Sequence, residues 1–228
     1  MQQQKPVIAV LGGTGSEGSG LALRWASAGH HVIIGSRNAE KAERVCAELN
    51  EVLGRAALTW SENASAAQAA DIVVLTVPFA AARSTVDEVR GQLAGKILID
   101  ATVPLMPPKV GRVQLPEGGS AVAQMQAHLG EGVRVVAAFQ NVSAHHLRDL
   151  GHEVDCDVLV CGDDIEARGT VIGLARAIGL RAYHAGPVCN AAAVEALTSV
   201  LITINSRYKI PGAGIRITGF ETDPHAGE

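Results

Sequence analysis

Runs of apolar, often β-branched residues alternate along the chain with segments whose apolar residues recur every three or four positions. The first pattern is typical of buried strands, and the second of helices that cover one face of a sheet. Strands are predicted at residues 6–11, 31–34, near 58, 71–77, 96–101, 134–139, 157–161 and 180–183. Helices are predicted at about 17–28, 38–49, 64–69, 80–93, 120–129, 164–178 and 187–208.

Strands that alternate with helices predict an α/β fold built on a doubly wound parallel sheet. Residues 103–119 contain four prolines and are predicted to form a loop. The last part of the chain breaks the alternation. We therefore expect one domain over residues 1–186 and a small C-terminal helical subdomain over residues 187–228.

Composition narrows the functional classes. Hydrophobic residues make up 47% and charged residues 18%, which indicates a folded chain. The formal net charge is −4 and no basic run exceeds two residues, so nucleic acid is not an expected partner. No uncharged apolar stretch is long enough for a membrane span, and the first residues do not resemble a signal peptide. Four cysteines without a CxxC pair predict reduced thiols in a cytoplasmic protein.

A glycine-rich turn follows the first predicted strand and opens the first helix. Gly13, Thr14, Gly15, Ser16, Glu17 and Gly18 together fit the pattern GxGxxG. Such glycines permit a sharp turn and let backbone N–H groups reach the pyrophosphate of a dinucleotide. The turn therefore predicts a Rossmann-type dinucleotide site, against the alternative of a glycine-rich loop without a ligand. A GxxGxxG pattern through Gly12, Gly15 and Gly18 fits equally and implies slightly different contacts.

The end of the second predicted strand indicates which dinucleotide is bound. Enzymes that use NAD usually place a carboxylate there to bind the ribose hydroxyls. This chain instead has Ser36 and Arg37, with Lys41 one helical turn further on. A hydroxyl and two cations suit a 2′-phosphate, so we predict NADP(H), although a solvated basic pair is the alternative.

The chain resembles the NADPH-dependent coenzyme F420 reductases in four segments: VLGGTGSEGSGLALRWASAGHHVIIGSR, DIVVLTVP, VCGDD and AGPVCNAAAVEALT. The resemblance implies hydride transfer between NADP(H) and the deazaflavin coenzyme F420. It places Val77 and Ala81 beside the adenosine side, and Val103, Ala144 and the tail around Ala213 near the nicotinamide. It also implies that the deazaflavin stacks over Pro78, Val103, Pro104, Leu105 and Val142. Gln140 and Phe79 stand where relatives carry His and Trp, and both departures fall in the deazaflavin pocket.

No catalytic residue is assigned, because hydride transfer needs no acid or base and solvent can deliver the accompanying proton. No metal is assigned to the His and Cys residues at 145–161, which lack tight ligand spacing. Asp163 and Asp164 are interpreted as a helix cap. The apolar helix at 191–204 predicts a homodimer surface, and packing of this helix on its own domain is an equal alternative. Two alternative functions are a reductase of another small acceptor, such as an imine or ketoacid, and a non-enzymatic NADPH sensor.

Overall fold

A computed structural model describes residues 5–219. Within that range eight strands form a single sheet in the order β3-β2-β1-β4-β5-β6-β7-β8. The strands are β1 (Ile8–Leu11), β2 (Val32–Gly35), β3 (Leu58–Ser61), β4 (Ile72–Leu75), β5 (Ile97–Asp100), β6 (Arg134–Ala137), β7 (Asp157–Gly162) and β8 (Arg181–His184). The helices are α1 (Ser16–Ser27), α2 (Ala39–Leu53), α3 (Asn63–Ala69), α4 (Phe79–Val89), α5 (Ala121–Leu129), α6 (Ile165–Ala177) and α7 (Ala191–Tyr208).

The doubly wound sheet predicted from the sequence is confirmed, with one correction. Strands β1 to β6 are parallel, but β7 runs antiparallel to β6, and β8 is parallel to β7. A parallel connection needs a crossover, usually a helix. The segment between β6 and β7 holds only the 3-10 turn Ala144–His146, so the chain turns back instead of crossing over.

Two apolar layers hold the helices against the sheet. Every residue of β1, β2 and β4 is buried, which explains their continuous apolar sequences. One layer contains Trp25, whose ring meets that of Phe139 edge to face with centroids 5.7 Å apart. Most of the other buried side chains in this layer are aliphatic.

Local signals in the sequence explain several helix ends. Asn38 caps α2 by accepting a hydrogen bond from the Lys41 backbone N–H, and Asp164 caps α6 through the Ala167 N–H. The expected cap at Asp164 is thus confirmed. Asp163 acts elsewhere, because its carboxylate accepts the N–H of Val188 at the 3-10 turn before α7.

Helix α7 packs against α5 and β7. With the turn before it, the helix spans Val188–Tyr208 and is long and apolar enough to cross a membrane by length and composition. Core helices of soluble proteins pass the same test, and α7 is partly buried against its own domain. The predicted domain boundary at residue 187 stays a prediction. The outermost residues of the two predicted domains, 1–4 and 220–228, lie outside the described range.

A buried carboxylate joins α7 to α5. Glu195 is 1% exposed and accepts hydrogen bonds from the Ser120 hydroxyl at 2.6 Å, the Ala121 N–H at 2.8 Å and the Val122 N–H at 3.1 Å. The side chain therefore caps α5 from another helix, where the helix dipole favours negative charge.

Replacing Glu195 with alanine should lower the free energy of unfolding by roughly 3 kcal/mol or more, because buried donors lose their acceptor. Urea unfolding monitored by circular dichroism measures this change. The exposed Glu88→Ala variant on α4 is the control and should change stability by less than about 0.5 kcal/mol. Equal effects of the two substitutions would contradict the role of Glu195.

Candidate dinucleotide site

The carboxyl ends of the parallel strands β2, β1 and β4 form the edge on which the site is built. The chain crosses from one face of the sheet to the other between β1 and β4, and ligands of open α/β sheets bind at such a switch point. A cavity of about 450 Å³ opens there. Its lining residues are Gly12, Thr14, Gly15, Ser36, Arg37, Asn38, Lys41, Asn63, Thr76, Val77, Pro78, Ala81 and Thr85.

The glycine turn leaves the backbone accessible. Gly12 has a φ of +81°, and a Cβ there would lie 2.8 Å from Val77 Cγ1. A Cβ on Gly18 would lie 2.4 Å from Thr76 Oγ1, so this glycine allows α1 to approach the sheet. Gly12 and Gly15 line the cavity, and Gly18 packs against Thr76 beside it. This arrangement favours the GxxGxxG pattern. Gly13 is buried, and a Cβ on it would lie 2.8 Å from the Val10 carbonyl oxygen.

Helix α1 begins at this turn without a side-chain cap. Its first-turn N–H groups are therefore left for an anion, which the helix dipole also favours. Ser16 and Glu17 occupy that first turn, although neither residue is among those that line the cavity. Their predicted contacts with a pyrophosphate stay a prediction.

Glu17 places a carboxyl group in the first turn of α1, next to the glycine turn where phosphates are predicted to bind. Burial, and to a smaller extent the charge of Asp100, raises the pKa of Glu17 to about 8. The group is therefore mostly protonated at neutral pH, which removes most of its repulsion toward an anion.

The basic group predicted from the sequence faces the same cavity. Ser36, Arg37 and Lys41 lie together at the end of β2 and the start of α2. We call Ser36, Arg37 and Lys41 the basic corner. The Ser36 hydroxyl accepts a hydrogen bond from the Asn38 N–H at 3.1 Å, which fixes the backbone turn there. Arg37 and Lys41 are both exposed, so their donors are accessible to a ligand.

Apolar side chains form the wall opposite this corner. Val77, Pro78 and Ala81 follow β4 and line the cavity. Asn63, Thr76 and Thr85 also line it, and the sequence analysis did not identify them. In the sequence, Asn63 resembles an ordinary residue at the start of a helix, and Thr85 resembles any polar residue within one. Neither therefore has a local sequence signal that would mark it as a binding residue.

The remaining predicted residues lie outside this cavity, on the side of β5 and β6. Val103 is half-buried and Pro104 is buried just after β5, while Val142 is buried and Ala144 half-buried in the loop after β6. The Gln140 amide ties the two segments together by donating to the Asp100 carbonyl at 2.7 Å. Ala213 lines a separate depression with Ser143, and the Ser143 hydroxyl donates to the Pro211 carbonyl at 3.2 Å.

The loop after β6 begins with strained backbone and is anchored on α1. Phe139 is fully buried and has a φ of +76°, a conformation that is unfavourable for a bulky residue and often found near functional sites. The Arg24 guanidinium donates to the carbonyls of His146, Leu147, Asp149 and His152 at 2.7–3.1 Å. These hydrogen bonds fix the part of the loop at residues 146–152 against α1.

A buried carboxyl group ends β5 beneath the loop after β6. Asp100 is fully buried; its Oδ1 accepts from the N–H and hydroxyl of Thr102, and its Oδ2 has no partner within the described residues. Burial raises the pKa of Asp100 to about 6, the hydrogen bonds from Thr102 oppose the shift, and the charge of Glu195 adds to it.

Asp100→Asn should raise stability above pH 6. A raised folded-state pKa means that stability is lost as pH rises from the unfolded-state pKa of about 4 to the folded value of about 6. The amide keeps the acceptor for Thr102 and removes this loss, for a gain of up to about 3 kcal/mol at pH 8. Urea unfolding at pH 5 and pH 8 measures it. Glu88→Gln should leave the pH dependence unchanged, and an equally steep pH dependence in Asp100→Asn would contradict the assignment.

Within residues 5–219, no three His, Cys, Asp or Glu side chains are grouped as metal ligands would be. The rings of His146 and His152 stack with centroids 3.9 Å apart, and that of His145 meets His146 edge to face. All four cysteines are free thiols.

Comparisons with known proteins agree with this geometry. Residues 7–104 match a family model described as NADP oxidoreductase, coenzyme F420-dependent. The F420-dependent NADP reductase of Methanothermobacter thermautotrophicus is 44% identical over 218 residues, covering 92% of this chain and 94% of the relative. The enzyme of the same name from Methanocaldococcus jannaschii is 43% identical over 222 residues, covering 94% of this chain and 99% of the relative.

A solved structure shows the same architecture. The crystal structure of a candidate F420-dependent NADP reductase from Arthrobacter sp. FB24 superimposes with a TM-score of 0.78 at 26% identity, covering 93% of this chain and 99% of the other. Sequence identity over almost the whole length, together with the fold and the cavity at the switch point, leads to one assignment. The chain belongs to the family of F420-dependent NADP reductases.

Proposed function

We infer that this chain transfers a hydride between NADP(H) and coenzyme F420, with the adenosine half of the nucleotide in the cavity at the switch point. The observation that carries this inference is a single cavity that brings the glycine turn together with Ser36, Arg37 and Lys41. Its volume of about 450 Å³ suits part of a dinucleotide, so the nicotinamide half extends across the sheet edge toward β5.

Each part of the nucleotide has matching groups in the chain. The pyrophosphate would lie against Thr14, Gly15 and the first turn of α1, where N–H groups and the helix dipole favour negative charge. The 2′-phosphate would accept hydrogen bonds from Ser36 and ion pairs from Arg37 and Lys41. Val77, Pro78 and Ala81 would cover the adenosine side with apolar surface.

The second half of the site lies on the other side of β4. When bound, NADP(H) and the deazaflavin supply the redox chemistry, and the chain orients them and excludes water. Pro78, Val103, Pro104 and Val142 would cover the deazaflavin, and Ala144 and Ala213 would approach the nicotinamide. The bonds Gln140–Asp100 and Ser143–Pro211, together with the Arg24 contacts, support a preorganised wall there. No side chain is proposed as a catalytic acid or base.

We further propose that the protein is a homodimer in the cytoplasm, with neither nucleic acid nor membrane as a partner. Exposed apolar side chains on and near α7 support the dimer: Val200 is 45% exposed, Tyr208 71% and Ile210 43%. Free cysteines support the cytoplasmic location, and a net charge of −4 supports the exclusion of nucleic acid as a partner. Light scattering of the purified protein tests the dimer, and a mass of one chain, 23.6 kDa, would contradict it.

The activity is tested by anaerobic mixing of the protein with NADPH and coenzyme F420 while the deazaflavin absorbance is followed. We expect the absorbance to fall at a rate that saturates with both compounds, and much more slowly with NADH. Turnover of imines or ketoacids with no change in the deazaflavin would favour the alternative reductase. Tight NADPH binding without any acceptor would favour the sensor.

A further inference from the structure

Two polar side chains in the wall of the cavity each carry an oxygen atom that has no hydrogen-bond partner in the part of the chain that the structure describes. Asn63 is 3% exposed and Thr85 is 2% exposed, and both line the cavity. Neither the Asn63 Oδ1 atom nor the Thr85 Oγ1 atom makes a hydrogen bond within the described residues. Buried polar atoms are nearly always paired, so two buried, unpaired oxygen atoms on residues that line one cavity require an explanation.

The fold itself gives no reason for these two side chains. Asn63 opens α3, but the N-cap position is Glu62, and no side chain caps that helix. The absence of a side chain at Gly35 leaves room for the amide, because a Cβ there would lie 3.1 Å from Asn63 Oδ1. The amide therefore lies beside the end of β2, next to the corner that holds Ser36 and Arg37.

The chemistry of the pair selects one part of the ligand. In the proposed placement, Arg37 and Lys41 pair with the 2′-phosphate, and the glycine turn binds the pyrophosphate. The surface of Val77, Pro78 and Ala81 suits the flat face of a ring. An unpaired amide oxygen needs a donor, and the donor on the edge of adenine is its 6-amino group, which asparagine recognises together with a ring nitrogen.

We propose that Asn63 and Thr85 recognise the edge of the adenine base. Asn63 Oδ1 accepts a hydrogen bond from the 6-amino group, and the Thr85 hydroxyl donates to a ring nitrogen. This inference rests on the proposed placement of NADP(H) in the cavity. It makes the site selective for a 6-aminopurine over a 6-oxopurine, because an oxo group would set one acceptor against another.

The test compares NADPH with the reduced form of nicotinamide hypoxanthine dinucleotide phosphate, which carries an oxo group in place of the 6-amino group. Dissociation constants are measured by fluorescence titration for the wild type, Asn63→Leu and Thr85→Val. We expect the wild type to prefer NADPH by at least about tenfold. In Asn63→Leu that preference should fall to about one, mainly through weaker NADPH binding. Thr85→Val should weaken NADPH by roughly fivefold.

Two controls separate this role from a structural one. Ser84→Ala changes an exposed hydroxyl next to Thr85 that donates to the Ala81 carbonyl, and it should leave both dissociation constants unchanged. The apoprotein of Asn63→Leu should melt no lower than the wild type, because an apolar group replaces an unpaired polar one. Thr85→Val is nearly isosteric, so it provides a second test of the inference if the leucine variant fails to fold.

Three results would overturn the inference. One is a wild type that binds both nucleotides equally well. Another is an equal loss of both nucleotides in Asn63→Leu, which would place the amide on a ribose hydroxyl instead. The third is an Asn63→Leu variant that keeps the full preference for NADPH over the hypoxanthine analogue. Failure of the wild type to bind NADPH at all is a different outcome, since it contradicts the proposed function from which this inference starts.

Discussion

Replacing Gly15 with valine is expected to abolish NADPH binding while the apoprotein keeps its fold. Gly15 lies in the cavity wall with φ −81° and ψ 167°, an extended conformation that β-branched residues adopt readily. A Cβ there would lie 3.4 Å from its nearest neighbour, the Gly12 carbonyl oxygen, which is an acceptable contact. The rest of the valine side chain would occupy the space that a pyrophosphate needs.

The expected loss of affinity is on the order of 100-fold or more, because several hydrogen bonds to charged phosphate oxygens are lost together. Fluorescence titration with NADPH measures it, and thermal unfolding of the apoprotein should show an unchanged midpoint. Gly18→Ala is the informative companion. Its Cβ would meet Thr76 Oγ1 at 2.4 Å and the Gly12 carbonyl at 2.9 Å, so this variant should lose stability. NADPH affinity retained in Gly15→Val would mean that the turn does not hold the pyrophosphate.

Arg37→Ala is expected to weaken NADPH binding by about 1.5–3 kcal/mol and to leave NADH binding nearly unchanged. The guanidinium is exposed in the cavity wall beside Ser36 and Lys41, where a 2′-phosphate would lie. NADH lacks that phosphate and therefore has little affinity to lose.

Titration of both nucleotides against both proteins checks this expectation, and the NADPH constant should change by roughly 10- to 150-fold. Arg44→Ala is a matched control on α2, the helix that follows Arg37. Arg44 is exposed, and its nearest carboxylate is Glu48 at 3.8 Å, outside the cavity. Equal losses of NADPH and NADH in Arg37→Ala would argue that the arginine does not contact the 2′-phosphate.

The features that could be predicted from the sequence are those with a local signal. The order of strands and helices follows from periodicity, and the cap at Asp164 follows from its position before an amphipathic run. The glycine turn and the basic corner at Ser36, Arg37 and Lys41 were found because each sits at the end of a strand. The carboxyl ends of parallel strands meet at one edge, so these two elements also meet in space.

The features that were missed depend on contacts between distant parts of the chain. The antiparallel direction of β7 follows from the short connection after β6, which lacks a crossover helix, and a strand sequence does not indicate its direction. Asn63 and Thr85 become notable only once the fold buries them without partners. The same holds for Asp100, whose raised pKa arises from burial that no pattern of neighbouring residues announces.

We propose that the glycine turn and the basic corner hold two ends of one NADP(H) molecule. A crystal structure of the protein with NADP(H) bound tests it most directly. We expect the pyrophosphate against Gly15 and the N-terminus of α1, with the 2′-phosphate within hydrogen-bonding distance of Ser36 and Arg37. A bound nucleotide whose 2′-phosphate points away from Arg37 into solvent, or that lies outside this cavity, would show that this placement is wrong.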